Sequence, residues 1–169
     1  MIKTFLSLIG AYKFYERWLW YQVKNGFRPE HIAIILDGNR RWASEKAFGP
    51  WFGHEKGAEK VEQLLDWCLK LNVKSITLYA FSTENFSRQK NEVEEIMRIA
   101  GEEFQRILTD ERIHKNKVRV KVIGRVNLLP ENLQKLIMDV ERATESYDDH
   151  FLNIAFAYGG RAEIVDAAR

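Results

Sequence analysis

The run Ile32-Ala33-Ile34-Ile35-Leu36 is continuously apolar, mostly β-branched or aliphatic, and stops at Asp37-Gly38. So short a segment makes no stable helix in water, and its side chains favour a pleated backbone, so it reads as a strand buried on both faces. The hydrophobic period then changes. Ala58, Val61, Leu64, Leu65, Cys68 and Leu69 recur at helical spacing, which predicts a helix from about His54 to Leu71. Ser75 to Phe81 is a second strand, and Val93, Ile96, Met97, Ala100, Phe104, Ile107 and Leu108 form the stripe of the next helix. Val118, Val120 and Val122 alternate with Arg119 and Lys121, as in a strand with one wetter face near a sheet edge. Pro130 opens another helix, with Leu133, Leu136, Ile137 and Val140 along one side. Phe151 to Ala157 is a fourth strand, stopped by Gly159-Gly160, with a new helix beginning after it. Strands alternating with helices predict an α/β fold, a parallel sheet covered by helices on both faces.

The 169 residues, 46% hydrophobic and 12% aromatic, suffice for one packed domain. Basic residues number 26 and acidic 24, a net charge of +2, without the basic surplus that marks phosphate-backbone binding, so no nucleic-acid partner is expected. A lone cysteine, Cys68, excludes an internal disulfide framework and a cysteine-based zinc cluster, and makes the reducing cytoplasm the default compartment. Cys68 falls on the helical stripe, so its simplest place is the core. Ahead of Pro29, a helix from about Lys3 to Lys24 carries Phe5, Leu8, Ile9, Tyr12, Tyr15, Trp18, Leu19 and Trp20 with basic residues among them. It is too short and too charged to span a bilayer, and it has no clear cleavage site. Such amphipathicity suits peripheral contact with a membrane surface, or a helix packed on its own domain or on a twin subunit. Residues 1–27 are therefore set apart from a main domain over 28–169.

In parallel sheets, ligands bind beyond the carboxyl ends of the strands. Four segments fall there, and two of them are dense in polar groups. Asp37-Gly38-Asn39-Arg40-Arg41-Trp42-Ala43 puts a carboxylate, a flexible backbone position, an amide and two guanidiniums directly after a strand. Arginine grips phosphate oxygens bidentately, and a carboxylate beside them makes sense as a holder of Mg²⁺, so the set reads as a diphosphate and magnesium site. The plainer alternative is an acidic turn residue with solvated arginines. Ser82-Thr83-Glu84-Asn85-Phe86-Ser87-Arg88 supplies hydroxyls, an amide and another guanidinium at the next strand end, or else an ordinary polar loop capping a helix. His54, after Gly53, could donate toward an anion, although a lone histidine is more often structural. The glycine-rich P-loop, the dinucleotide fingerprint and the Gly-x-Ser-x-Gly elbow are all missing.

At these residues the chain resembles the cis-prenyltransferases, the family of undecaprenyl and dehydrodolichyl diphosphate synthases. The matches run from His31-Ile32-Ala33 into Asp37 to Ala43, then Gly53-His54 with Gly57. They continue through Tyr79 to Phe86 with Arg88 and Glu92-Val93, and end with Asn153-Ile154-Ala155 and Tyr158-Gly159-Gly160-Arg161. The doubled Arg40-Arg41 and the Phe86 form look closer to archaeal and eukaryotic members. The resemblance implies a transferase that condenses isopentenyl diphosphate with an allylic diphosphate, such as farnesyl or geranylgeranyl diphosphate, to a cis-polyprenyl diphosphate with Mg²⁺. It implies Asp37 as the magnesium ligand and Gly38, Asn39, Arg40, Arg41 and Trp42 as the allylic diphosphate site, assisted by His54 and Arg88. Ser82, Thr83, Glu84 and Phe86 then line the site, and Asn85 matches the residue assigned to proton removal, although a neutral amide is a poor base. The helix stripe over 91–108 and small Ala80 are candidates for an apolar tunnel, and a homodimer is implied.

Three departures stand out. Pro50 replaces a common arginine, and Arg125 replaces a common aspartate. The chain also stops at Arg169, before the family's C-terminal region for isopentenyl diphosphate, so residues 1–169 alone are expected to be inactive. The alternative reading is a non-catalytic or truncated binding subunit of a prenyltransferase complex.

Overall fold

This structure, a computed structural model, describes residues 11–169. The chain divides into two compact units, one ending at Glu30 and one spanning His31–Arg169. In the first, helix α1 is Ala11–Asn25; the expected helical stretch over residues 3–10 lies outside the described residues. Tyr12, Phe14, Tyr15, Trp18 and Tyr21 of α1 are exposed.

In the second unit the order is β1 (His31–Ile35), α2 (Asn39–Glu45), α3 (Pro50–Lys70), β2 (Ser75–Ser82), α4 (Lys90–Thr109), α5 (Glu111–Lys115), β3 (Val118–Ile123), α6 (Glu131–Ala143), β4 (His150–Tyr158) and α7 (Gly160–Ala167). The four strands form one sheet in the order β1-β2-β4-β3, every pair parallel. The period changes in the sequence thus give the α/β sheet expected of them. The short helices α2 and α5 lack a full apolar stripe, which is why periodicity does not disclose them.

Register decides which side chains face the core. Ile32, Ile76, Leu152 and Val120 stand in one row across the sheet, and Ile34, Leu78, Ile154 and Val122 in the next. Both rows pack against α3, α4 and α6 through Val61, Leu64, Leu65, Cys68, Ile96, Phe104, Leu133 and Ile137, so Cys68 is core as expected. The interleaved rows face the other way. There Thr77 Oγ1 meets His31 Nε2 at 2.8 Å and the Asn153 amide at 3.3 Å, and Ile35 is 72% exposed. The two-sided burial expected of β1 is therefore not found. It is an edge strand, and the side chains it turns to the core, Ile32 and Ile34, are half-buried and alternate with exposed Ala33 and Ile35.

The opposite edge is β3, as its alternating charges predict. Its outward N–H groups do not go unpaired: Val120 N donates to Thr144 Oγ1 (3.1 Å) and Val122 N to Glu141 Oε1 (2.9 Å), both from the end of α6. Side chains thereby close a row of donors that would otherwise invite another strand.

Candidate active site

The site begins where β1 runs out. Leu36 N still donates to the carbonyl of Tyr79, and the chain then turns at Gly38, whose φ of 89° is a left-handed value that side chains rarely adopt. Gly38 N donates to Asp37 Oδ1 at 2.6 Å, and Trp42 N donates to the Gly38 carbonyl, opening α2. The reversal presents Asp37, Asn39, Arg40 and Arg41 together on one cavity.

Helix α3 seats Asn39. A Cβ on Gly53 would lie 2.2 Å from the Asn39 carbonyl oxygen, and one on Gly57 would lie 2.4 Å from Asn39 Nδ2. Two glycines one turn apart thus let α3 approach α2 and leave a slot for the amide. The same helix brings His54 to the cavity.

The second strand end contributes through a 3₁₀ turn, Thr83–Ser87. Ser82 N donates to Asn85 Oδ1 (2.9 Å), while the Ser82 side chain accepts from the Asn85 backbone. Ser82 N takes one of the two lone pairs of the Asn85 carbonyl oxygen, which fixes the amide, and its NH₂ is left to donate to a ligand.

Beside that turn lies a carboxylate that belongs to the family match but received no site role from the sequence. Glu92 Oε1 is 2.9 Å from Arg88 Nη1, 3.4 Å from His54 Nε2 and 3.6 Å from Arg40 Nε, with its side chain 10% exposed. Burial lowers the His54 pKa, and the hydrogen bond to Glu92 only partly opposes this. Positive charge at the site comes from the arginines.

Behind this polar mouth the cavity, of about 700 Å³, is walled by apolar side chains: Leu78, Ala80 and Phe81 from β2, Ile154 and Phe156 from β4, Val61 and Leu65 from α3, and Ile96, Ala100, Phe104 and Ile107 from α4. At its other end it meets ion pairs. Arg106 pairs with Glu62 and Glu103, and Arg112 with Asp66 (2.8 Å) and Asp110. The arrangement fits an amphiphile with an anionic head and a long apolar tail.

Of the residues singled out from sequence, Asp37, Gly38, Asn39, Arg40, Arg41, His54, Ser82, Asn85 and Arg88 line this cavity. Four others stand off it. Trp42 stacks on Phe52 at 6.1 Å, Thr83 and Glu84 sit in the 3₁₀ turn, and Phe86 packs edge-on against Phe81 and lines a separate groove. Arg125 pairs with Asp166 of α7 at 2.9 Å, and Pro50 starts α3. Arg88 precedes α4 with extended backbone, so its spacing to Glu92 is no helical signal; the sequence marks Glu92 only as part of the Glu92-Val93 match.

Residues 35–169 match the family model described as "Putative undecaprenyl diphosphate synthase". The chain is 50% identical over 159 residues to the tritrans,polycis-undecaprenyl-diphosphate synthase (geranylgeranyl-diphosphate specific) of Pyrococcus horikoshii, covering 94% of this chain and 60% of that protein. It spans about 60% of the length of the curated relatives it matches. Lavandulyl diphosphate synthase from Lavandula x intermedia, in complex with dimethylallyl diphosphate, superposes with a TM-score of 0.77 at 33% identity, over 83% of this chain and 60% of that one. A "probable undecaprenyl diphosphate synthase" from Campylobacter jejuni gives 0.67 at 30% identity, over 85% and 61%.

Proposed function

The chain belongs to the undecaprenyl diphosphate synthase family, and from that premise we propose that the protein condenses isopentenyl diphosphate with an allylic diphosphate to make a cis-polyprenyl diphosphate. One observation carries the reading: Arg40, Arg41 and Arg88 converge from two strand ends on the mouth of a cavity whose body is apolar. The diphosphate lies against the guanidiniums, and the allylic tail runs between the sheet and α3 and α4. The geranylgeranyl specificity of the archaeal relatives favours that primer over farnesyl diphosphate.

As the allylic carbon–oxygen bond breaks, negative charge gathers on the leaving diphosphate, and Arg41 and Arg88 stabilise it. The Asn85 amide donates to a diphosphate oxygen and holds it in place. A neutral amide is too weak a base to take the proton lost from isopentenyl diphosphate, so that proton goes to the departing diphosphate. Ser82, at the end of β2, and the Asn39 slot keep the two loops in register around that head group.

Mg²⁺ fits the donor set in one form only. Among the described residues no cluster of His, Cys, Asp or Glu could hold a metal by itself. Asp37 offers a carboxylate on the cavity with one oxygen engaged by Gly38 N, and Mg²⁺ commonly binds through one or two carboxylates plus substrate phosphates. Asp37 would hold the ion, which supplies charge neutralisation for the diphosphate.

A homodimer and peripheral attachment to the cytoplasmic face of a membrane complete the proposal. No helix among the described residues is long and apolar enough to cross a membrane. The exposed aromatics of α1, with Lys13, Arg17 and Lys24, support contact with a lipid surface. Incorporation of radiolabelled isopentenyl diphosphate by the full-length protein, with Mg²⁺ and geranylgeranyl diphosphate, tests the activity. Formation of a polyprenyl diphosphate is expected, and no condensation with any allylic primer would overturn it. Sedimentation with anionic vesicles and analytical ultracentrifugation test the other two parts.

A further inference from the structure

We propose that Glu92 is the positioning residue of the allylic diphosphate site, a single carboxylate that holds Arg40, His54 and Arg88 toward the ligand from behind the cavity wall. The inference rests on the prenyltransferase reading above and deepens it. The three groups come from three different elements: Arg40 from α2, His54 from α3 and Arg88 from the turn before α4. Their common point is Glu92 Oε1, at 3.6, 3.4 and 2.9 Å. Two guanidiniums brought this close repel each other, and the Arg40 side chain, 57% exposed, is otherwise free to swing into solvent. A shared anion removes both obstacles.

Position fixes the sign of the effect. Arg40, His54 and Arg88 line the cavity, whereas Glu92 does not. A carboxylate inside the cavity would repel a diphosphate; one behind its cationic wall orients that wall and leaves it facing the ligand. The histidine is oriented too: a carboxylate accepts, so the contact to Glu92 places a proton on Nε2.

Glu92 is also the third residue of α4, where an acid favours the helix dipole whatever else it does. Aspartate serves that purpose equally well but is one methylene too short to reach all three partners. The experiment therefore uses the full-length enzyme with Glu92→Gln and Glu92→Asp. It measures affinity for a non-hydrolysable geranylgeranyl thiodiphosphate, KM for both substrates, and the ¹⁵N shifts of the His54 ring.

Positioning predicts that Glu92→Gln weakens the analogue about tenfold or more, the size of a lost charge-assisted hydrogen bond. Glu92→Asp should follow in the same direction. KM for the allylic substrate should rise in step while KM for isopentenyl diphosphate holds, and the His54 ¹⁵N pattern should lose its single-tautomer signature. Wild-type affinity in Glu92→Asp, or equal loss for both substrates, overturns the inference. Should Glu92→Gln fail to fold, Glu92→Asp, which retains the charge at that helix position, decides alone. A wild-type enzyme that neither binds the analogue nor condenses overturns the functional reading itself, a result separable from any behaviour of the variants.

Discussion

At the mouth of the cavity Arg40, Arg41 and Arg88 stand with two carboxylates, Asp37 and Glu92; at its other end Arg106 and Arg112 stand with four, Glu62, Asp66, Glu103 and Asp110. The ends are some 21 Å apart along α4, counting Glu92 to Arg106 at about 1.5 Å per residue. The same residue types thus do opposite jobs. At the far end each guanidinium bridges α3 to the α4–α5 region and is saturated by acids, so it ties elements together and attracts no further anion. At the mouth positive charge is in surplus, and among the described residues Arg41 has no carboxylate at ion-pair distance. Under the proposed function, what sets the binding arginines apart from the structural ones is the acid left out beside them.

The largest effect should come from deepening that surplus the wrong way. Asp37→Ala removes the one carboxylate available for Mg²⁺ at the mouth, and condensation by the full-length protein is expected to fall by more than about 10³-fold with the fold retained. Product formation near the wild-type rate, with an unchanged circular dichroism spectrum, would break the contrast at its strongest point. Next in size are Arg41→Ala and Arg88→Ala. Each should weaken the thiodiphosphate analogue by about 10- to 100-fold, the range for hydrogen bonds to charged groups, while stability moves by less than about 1 kcal/mol for the exposed Arg41 and by more for Arg88, whose partner Glu92 is nearly buried. Calorimetric titration with a parallel urea melt separates the two quantities, and unchanged affinity in both variants would make the mouth no different from the far end.

Much of the mouth was legible in the sequence because its information is local. Gly38 follows Asp37 directly at the reversal, whereas the seating of Asn39 by Gly53 and Gly57 joins α2 to α3 and shows only in the structure. Glu92 was legible as part of the family match but not as a member of the site, because its contacts to Arg40 and His54 span 52 and 38 residues of chain and exist only after α2, α3 and α4 have packed. The apolar runs of β1 to β4 marked strands but not their order. Continuous apolarity in β1 suggested burial on both faces, and only pairing with β2 alone shows it to be an edge. Trp42 and Phe86 sit inside the motifs yet turn to Phe52 and Phe81, away from the cavity, since a motif fixes a backbone path and leaves the side to which each aromatic packs to tertiary contacts.

The far end sharpens the comparison by what it should not do. Arg106→Ala removes a guanidinium that lines the same cavity and is 53% exposed. Its ion pairs are partly solvated, so the loss of stability should stay below about 1 kcal/mol. It is far enough from the diphosphate head that analogue affinity should remain within about twofold of wild type. A tenfold loss would mean that the anionic head extends to the second end and that the two arginine sets are one.

The smallest effect is an acid response confined to the far end. Asp110 lies well below the usual aspartate range, chiefly because Arg112 hydrogen-bonds its carboxylate, whereas Glu103 lies above the usual glutamate range because burial disfavours its charge. The folded chain thus holds the proton of Asp110 less readily than the unfolded one, and that of Glu103 more readily. Asp110 therefore contributes stability that is full above its unfolded value and drains away as pH falls below about 4. Glu103 contributes in the opposite sense: its share is present below its unfolded value and is lost as pH rises through the raised folded one. The two slopes have opposite sign in adjacent windows, Asp110 below its unfolded value and Glu103 above its own, so their joint contribution is greatest between them, at about pH 4. Urea midpoints between pH 3 and pH 7 should show Asp110→Asn flattening the acid loss and Glu103→Gln gaining stability at neutral pH, each by a few tenths of a kcal/mol, on the scale of about 0.2–1 kcal/mol for solvated pairs. Because neither carboxyl touches the mouth, the same two variants should leave the affinity for the allylic analogue unchanged across that range. A pH-dependent loss of binding in either would connect the ends that the charge pattern keeps apart.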